Sequence, residues 1–175
     1  MDEEYGFIRE KLDIKLLILY ILRRLSGGVD ISTIFEICRV DGGVGYFDYS
    51  DCLSELTETG LIAYDEDNGR YMITPKGADD IDQVGSSLPF SVRQKVNRSV
   101  GPVNEKIKRE QMIRTSYSEE HGVYSVKFIL SDGVGEILNL KFMCSGEEQA
   151  KDFQKKFRKN AEAYYNKIIA MFTEE

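Results

Sequence analysis

The sequence predicts an α+β chain in two parts, and three observations carry that prediction. Apolar residues recur at helical spacing through the first half of the 175 residues and at alternate positions from about residue 112. In the first half, DEDNGR separates two short β-type runs, and its Asn68-Gly69 pair signals a type I′ hairpin turn. Near the end, Ser145 and Glu148 form an S-x-x-E capping box ahead of a long apolar stripe. The expected division is residues 1–87 for helices and a hairpin and residues 88–110 for a basic linker with a short helix. Residues 111–175 are expected to form a three-stranded antiparallel sheet covered by a long helix.

The first helix is expected from about Leu12 to Leu25, ended by a left-handed glycine in Ser26-Gly27-Gly28. Asp30 is the expected N-cap of a short second helix whose apolar positions are Ile31, Ile34, Phe35 and Cys38. Asp48 is expected to cap a third helix that buries Tyr49, Cys52, Leu53 and Leu56 and stops at Gly60. Leu61–Tyr64 and Tyr71–Ile73 are the hairpin strands. Thr74 then caps a fourth helix, with Pro75 in its first turn, where a missing N–H costs nothing. Pro89 starts the short helix of the linker.

In the second half, Met112–Ser118, Val123–Leu130 and a run through Leu138, Leu140, Phe142 and Cys144 read as strands of a meander with one covered face. The cover is the last helix, whose stripe is Ala150, Phe153, Phe157, Ala161, Tyr164, Tyr165, Ile168 and Phe172.

Composition narrows the function. The chain is 42% hydrophobic and 30% charged, enough to bury a core. Cys38, Cys52 and Cys144 are scattered and His121 is the lone histidine, so no metal site is expected and the thiols fit a reducing, cytoplasmic setting. The acidic start MDEEYGFIREK lacks the basic region of a signal peptide. LDIKLLILYILRRL is apolar, but it spans 14 residues with Asp13 and Lys15 inside, too short to cross a membrane. SDGVG lacks the Lys-Ser/Thr end of a phosphate-binding loop, and His121 has no nucleophile near it, so neither an enzyme nor a cofactor is expected. Charge is uneven. Residues 1–87 hold 8 Lys and Arg against 18 Asp and Glu, net −10; residues 88–175 hold 15 against 12, net +3.

The stretches LSELTETGLIAY and NGRYMITPKG resemble the winged helix-turn-helix domain of MarR- and PadR-like bacterial regulators, over about residues 12–85. The whole chain also looks like a bacterial family of winged-helix proteins of unknown function. KLLILYIL, YSDCLSELTETGLI and EEQAKDFQKKFRKNAEAYYNKII carry that likeness. The resemblance implies a dimeric regulator that binds double-stranded DNA through the third helix and the wing. Ser50, Ser54 and Thr57 would contact DNA from that helix, Arg70 from the wing, and Lys76 from a helix N-terminus.

The residues themselves pull the other way. The third helix has no Lys or Arg, and its expected solvent side adds Asp48, Asp51, Glu55 and Glu58 to the three hydroxyls. Carboxylates near phosphates are repelled, so the rival is a protein-interaction module with an acidic face. Arg93, Lys95, Arg98, Lys106, Lys108, Arg109 and Arg114 form a basic island that either follows phosphates or docks on the acidic half. A small-molecule effector pocket between the two parts is a third reading.

Overall fold

The computed structural model describes residues 7–173. The chain is α+β, with six α-helices and two small antiparallel sheets among the described residues, and it divides into two compact units, Met1–Glu105 and Lys106–Glu175.

The first unit holds α1 (Lys11–Arg24), α2 (Ile31–Cys38), α3 (Tyr46–Glu58), β1 (Ile62–Asp65), β2 (Arg70–Ile73), α4 (Pro75–Val84) and most of α5 (Phe90–Met112). α1 is the central element. Ile14 and every residue from Leu17 to Leu22 are buried, so α1 is covered on most sides. Its end differs from expectation. Leu25 is extended, and neither Gly27 nor Gly28 is left-handed. The side chain of Asn104 closes the helix instead, donating to the Arg24 carbonyl at 2.8 Å and accepting the Ser26 N–H at 2.8 Å.

Asp30 caps α2 as expected, accepting the Thr33 N–H at 3.0 Å and the Thr33 hydroxyl at 2.8 Å. Burial pushes the Asp30 carboxyl up, but these hydrogen bonds to the charged form outweigh it, and its pKa is lowered from 3.8. A lowered folded pKa means the contribution is full above the unfolded value and is lost as pH falls through the folded one. Asp30→Ala is therefore expected to cost about 1 kcal/mol near neutral pH. In urea titrations the gap between wild type and variant should close as the pH is lowered below that of ordinary carboxylates; a gap that persists in acid would deny the cap this role.

α3 starts three residues earlier than an Asp48 cap implies. Gly45 is the N-cap, and Asp48 lies in the first turn with no capping bond. Tyr49, Cys52, Leu53 and Leu56 are buried as expected, and the Tyr49 hydroxyl donates to the Ile31 carbonyl at 2.8 Å. Gly60, left-handed at φ 72°, ends the helix.

β1 and β2 pair antiparallel from Ile62↔Ile73 to Asp65↔Arg70, which leaves a four-residue loop. The type I′ turn expected at Asn68-Gly69 is absent, since only Gly69 has a positive φ. The Asp65 carboxylate organises this loop by accepting the Asp67 and Asn68 N–H groups and the Asn68 side-chain amide. Val29, between α1 and α2, adds a third strand position by exchanging two backbone hydrogen bonds with Tyr71, at 3.1 and 2.8 Å. Thr74 caps α4 as expected, with Pro75 in the first turn. The segment expected to be a linker is largely α5, a 23-residue helix with Pro102 inside it. Val92, Val96 and Val100 are buried at four-residue spacing on that helix.

The second unit holds β3 (Ile113–Glu120), β4 (Val123–Ser131), β5 (Glu136–Cys144) and α6 (Glu147–Thr173), in the sheet order β3-β4-β5. The expected meander and its covering helix are both present. Two positive φ values, His121 at 54° and Gly122 at 78°, make the tight β3–β4 turn. Ile113, Val126, Phe128 and Leu130 pack with Phe157 and Ala161 of α6. The capping arrangement of α6 is one residue off the expected box. Gly146 precedes the helix, and Gln149, not Glu148, accepts the Ser145 N–H at 2.8 Å. At Asn160 the α6 backbone leaves helical geometry (φ −133°, ψ 27°), so the helix is kinked.

Candidate functional site

The surface singled out by the sequence is the outward side of α3 with the β1–β2 hairpin. The buried residues of α3 fix what the rest of the helix presents. Ser50, Ser54 and Thr57, spaced four and three apart, lie along one side of the helix. The same spacing continued backwards reaches Phe47, which is 85% exposed. The early start of α3 also brings in Tyr46, 51% exposed and edge-on to Phe35 at 5.2 Å between centroids. A cap at Asp48 would leave both rings outside the helix, whereas extending the hydroxyl spacing by one turn reaches Phe47.

The acidic side of α3 is partly neutralised. Lys11 of α1 reaches Asp51 at 3.5 Å and Glu55 at 3.8 Å, and Lys15 reaches Glu55 at 2.5 Å. The hydrogen bond and charge of Lys15 hold the Glu55 carboxyl below its ordinary value, and Glu55 in turn raises Lys15. Both groups are solvated, so the pairing orders side chains more than it stabilises the fold. Among the described residues Asp48 and Glu58 have no such lysine; Glu58 accepts the Ser54 hydroxyl at 3.3 Å. The Thr57 hydroxyl turns back to the Leu53 carbonyl at 2.8 Å, and Ser50 is half-buried.

The two expected cations are engaged with backbone. Arg70 donates to the Gly28 carbonyl at 3.2 Å, beside the Val29–Tyr71 bridge. Lys76 donates to the Thr59 carbonyl at 3.3 Å, at the C-terminal end of α3, where a cation complements the helix dipole. The structure thus groups the three hydroxyls on one helix side and assigns Arg70 and Lys76 to contacts within the fold. The hairpin tip carries Asp65, Glu66 and Asp67, and the hydrogen bond from Asn68 keeps the Asp65 carboxyl below its ordinary value.

Residues 14–172 match the family described as Domain of unknown function (DUF4364). The chain belongs to this family. No curated protein and no solved structure matches it. Among the described residues of this DUF4364 protein, no helix is long and apolar enough to cross a membrane.

Proposed function

We propose that residues 11–85 are a winged helix-turn-helix domain and that this DUF4364 protein is a dimeric transcriptional regulator that binds double-stranded DNA through α3 and the hairpin. The observation that carries this reading is the Val29–Tyr71 bridge. It ties the hairpin to the strand position between α1 and α2, giving the order helix, strand, helix, helix, hairpin of a winged domain. Lys11 and Lys15 offset Asp51 and Glu55, which lowers the negative charge beside Ser50, Ser54 and Thr57 and leaves Glu58, bonded to Ser54, as a carboxylate on the side offered to a groove. A dimer follows from the same reading, because one domain of this net charge has few cations with which to hold phosphates.

A second reading, a protein-interaction module, is favoured by the exposed Phe47 and Tyr46 at the start of α3. Aromatic rings at that exposure are typical anchors for a protein surface.

Glu58→Gln separates the two. Removing a carboxylate that faces phosphates is expected to tighten DNA binding by roughly threefold at low salt, whereas loss of a contact to a basic partner would weaken that complex. The direct measurement is fluorescence anisotropy of a labelled duplex from the protein's own upstream region, against a scrambled one, at about 50 and 200 mM salt. Binding should prefer the native duplex and weaken with salt, and Ser54→Ala should reduce the preference. A folded protein that binds neither duplex at low salt ends the DNA reading in favour of the interaction module.

A further inference from the structure

The face of the β3-β4-β5 sheet opposite α6 has a chemistry that the fold does not use. Orientation is fixed by pairs on the covered side. The Tyr117 hydroxyl bonds Glu147 of α6, and Arg158 of α6 bonds the Thr115 hydroxyl, so alternate residues Arg114, Ser116 and Ser118 take the open side of β3. Across the three strands, the register aligns Ser116 with Lys127 and Lys127 with Lys141. The next row aligns Ser118 with Ser125, whose hydroxyls lie 3.1 Å apart.

Two lysines directly opposite on neighbouring strands repel each other and weaken a sheet. Among the described residues neither has a carboxylate within ion-pair distance, although the chain as a whole is net −7. The nearby Arg114 is already paired with Glu136 at 2.8 Å. Lys127 is half-buried and Lys141 exposed, and with Ser116, Ser118, Ser125 and Asn139 they line a shallow concavity of about 350 Å³. Two ammonium groups and several hydroxyls are donors that one oxyanion can engage together, turning repulsion into charge-assisted hydrogen bonds. Tyr117 also borders the concavity, but its hydroxyl is held by Glu147 on the α6 side, so the two ammonium groups and the serine hydroxyls are the donors the face offers.

We propose that this open sheet face binds phosphate groups, with Lys127 and Lys141 as its cations. The phosphate comes either from a free phosphorylated small molecule or from a DNA backbone. The site is independent of α3.

The test is titration of inorganic pyrophosphate into the isotope-labelled full chain, followed by NMR amide shifts. Shifts should centre on Ser116, Ser118, Ser125, Lys127 and Lys141 and saturate with a Kd of about 1 mM or tighter. The double variant Lys127→Gln/Lys141→Gln should bind at least about tenfold more weakly, and it should fold no less stably because an opposed pair of charges is gone. Absence of shifts on this face, or equal affinity in the double variant, overturns the site. In the positive case, adding a short duplex identifies the source. Displacement of pyrophosphate from these residues points to the DNA backbone, and continued occupancy points to a free phosphate ligand. The pyrophosphate titration contains no DNA, so it stands even if α3 proves not to bind a duplex.

Discussion

Gly77→Ala is expected to cost about 3 kcal/mol of stability, although it adds a single methyl group to a helix. A Cβ at Gly77 would lie 2.2 Å from the Leu61 carbonyl oxygen, 3.0 Å from its carbon and 3.1 Å from Ile73. That carbonyl cannot swing aside freely. It accepts the Thr74 N–H at 3.1 Å and the Thr74 hydroxyl at 3.1 Å, and the same hydroxyl accepts the Gly77 N–H at 3.1 Å. Relieving the clash therefore breaks either the cap of α4 or the link between β2 and the end of α3. Gly101→Ala is the control. Gly101 lies inside α5 with nothing within 4 Å of its added Cβ, so alanine there should stabilise by about 0.5–1 kcal/mol through helix propensity alone. Urea titration of the two variants against wild type reads both signs. A Gly77→Ala protein that unfolds at the wild-type midpoint would show that the first turn of α4 can move away from Leu61. The expectation also reassigns Thr74-Pro75-Lys76-Gly77. Thr74 and Gly77 join α4 to the hairpin, and Lys76 holds the end of α3, so the whole run is explained by packing without a phosphate.

What the sequence revealed depended on the distance over which each feature is determined. Asp30 and Thr74 act on residues three positions away, and both caps were legible. The end of α1 was not, because Asn104 reaches it from 80 residues along the chain. At the hairpin, Asn68-Gly69 was a sound turn signal for the place but not the type, since the Asp65 carboxylate captures the following N–H groups and favours a longer loop. The two-residue turn formed instead at His121-Gly122, where the pairing Glu120↔Val123 leaves no room for more. α5 was hidden by its Ser, Gly and Pro content, yet Leu88, Val92, Val96 and Val100 stand four apart in plain view and are all buried. Of the candidate site, the hydroxyl side of α3 was legible from spacing alone. The pairing of Asp51 and Glu55 with Lys11 and Lys15 was not, because it depends on how α1 lies against α3.

The last helix carries a contrast that a pair of substitutions can measure. Phe157→Ala is expected to cost about 4 kcal/mol, and Phe172→Ala less than about 0.5 kcal/mol, although both belong to one apolar stripe in the sequence. Phe157 is 3% exposed, stacks on Phe128 with centroids 4.6 Å apart, and sits in a core whose other buried members are Ile113, Val126, Leu130 and Ala161. Truncating it removes the central ring from a small core that has little with which to collapse. Beyond Ala161 the packing thins: Tyr165 still packs half-buried against this core, and no later residue of the stripe joins it. The break in helical geometry at Asn160 turns the following residues, so Tyr164 is 37% and Phe172 85% exposed. An open apolar groove of about 290 Å³ lies beside Phe142, Tyr164 and Ile168 where a straight helix would have continued the packing. Near-UV circular dichroism during urea unfolding would follow the aromatic core directly. Equal costs for the two substitutions would mean that α6 packs along its whole length in solution and that the kink does not end the core. A large cost for Phe157 alone makes it the last ring of α6 that the core needs and leaves Phe172 as surface.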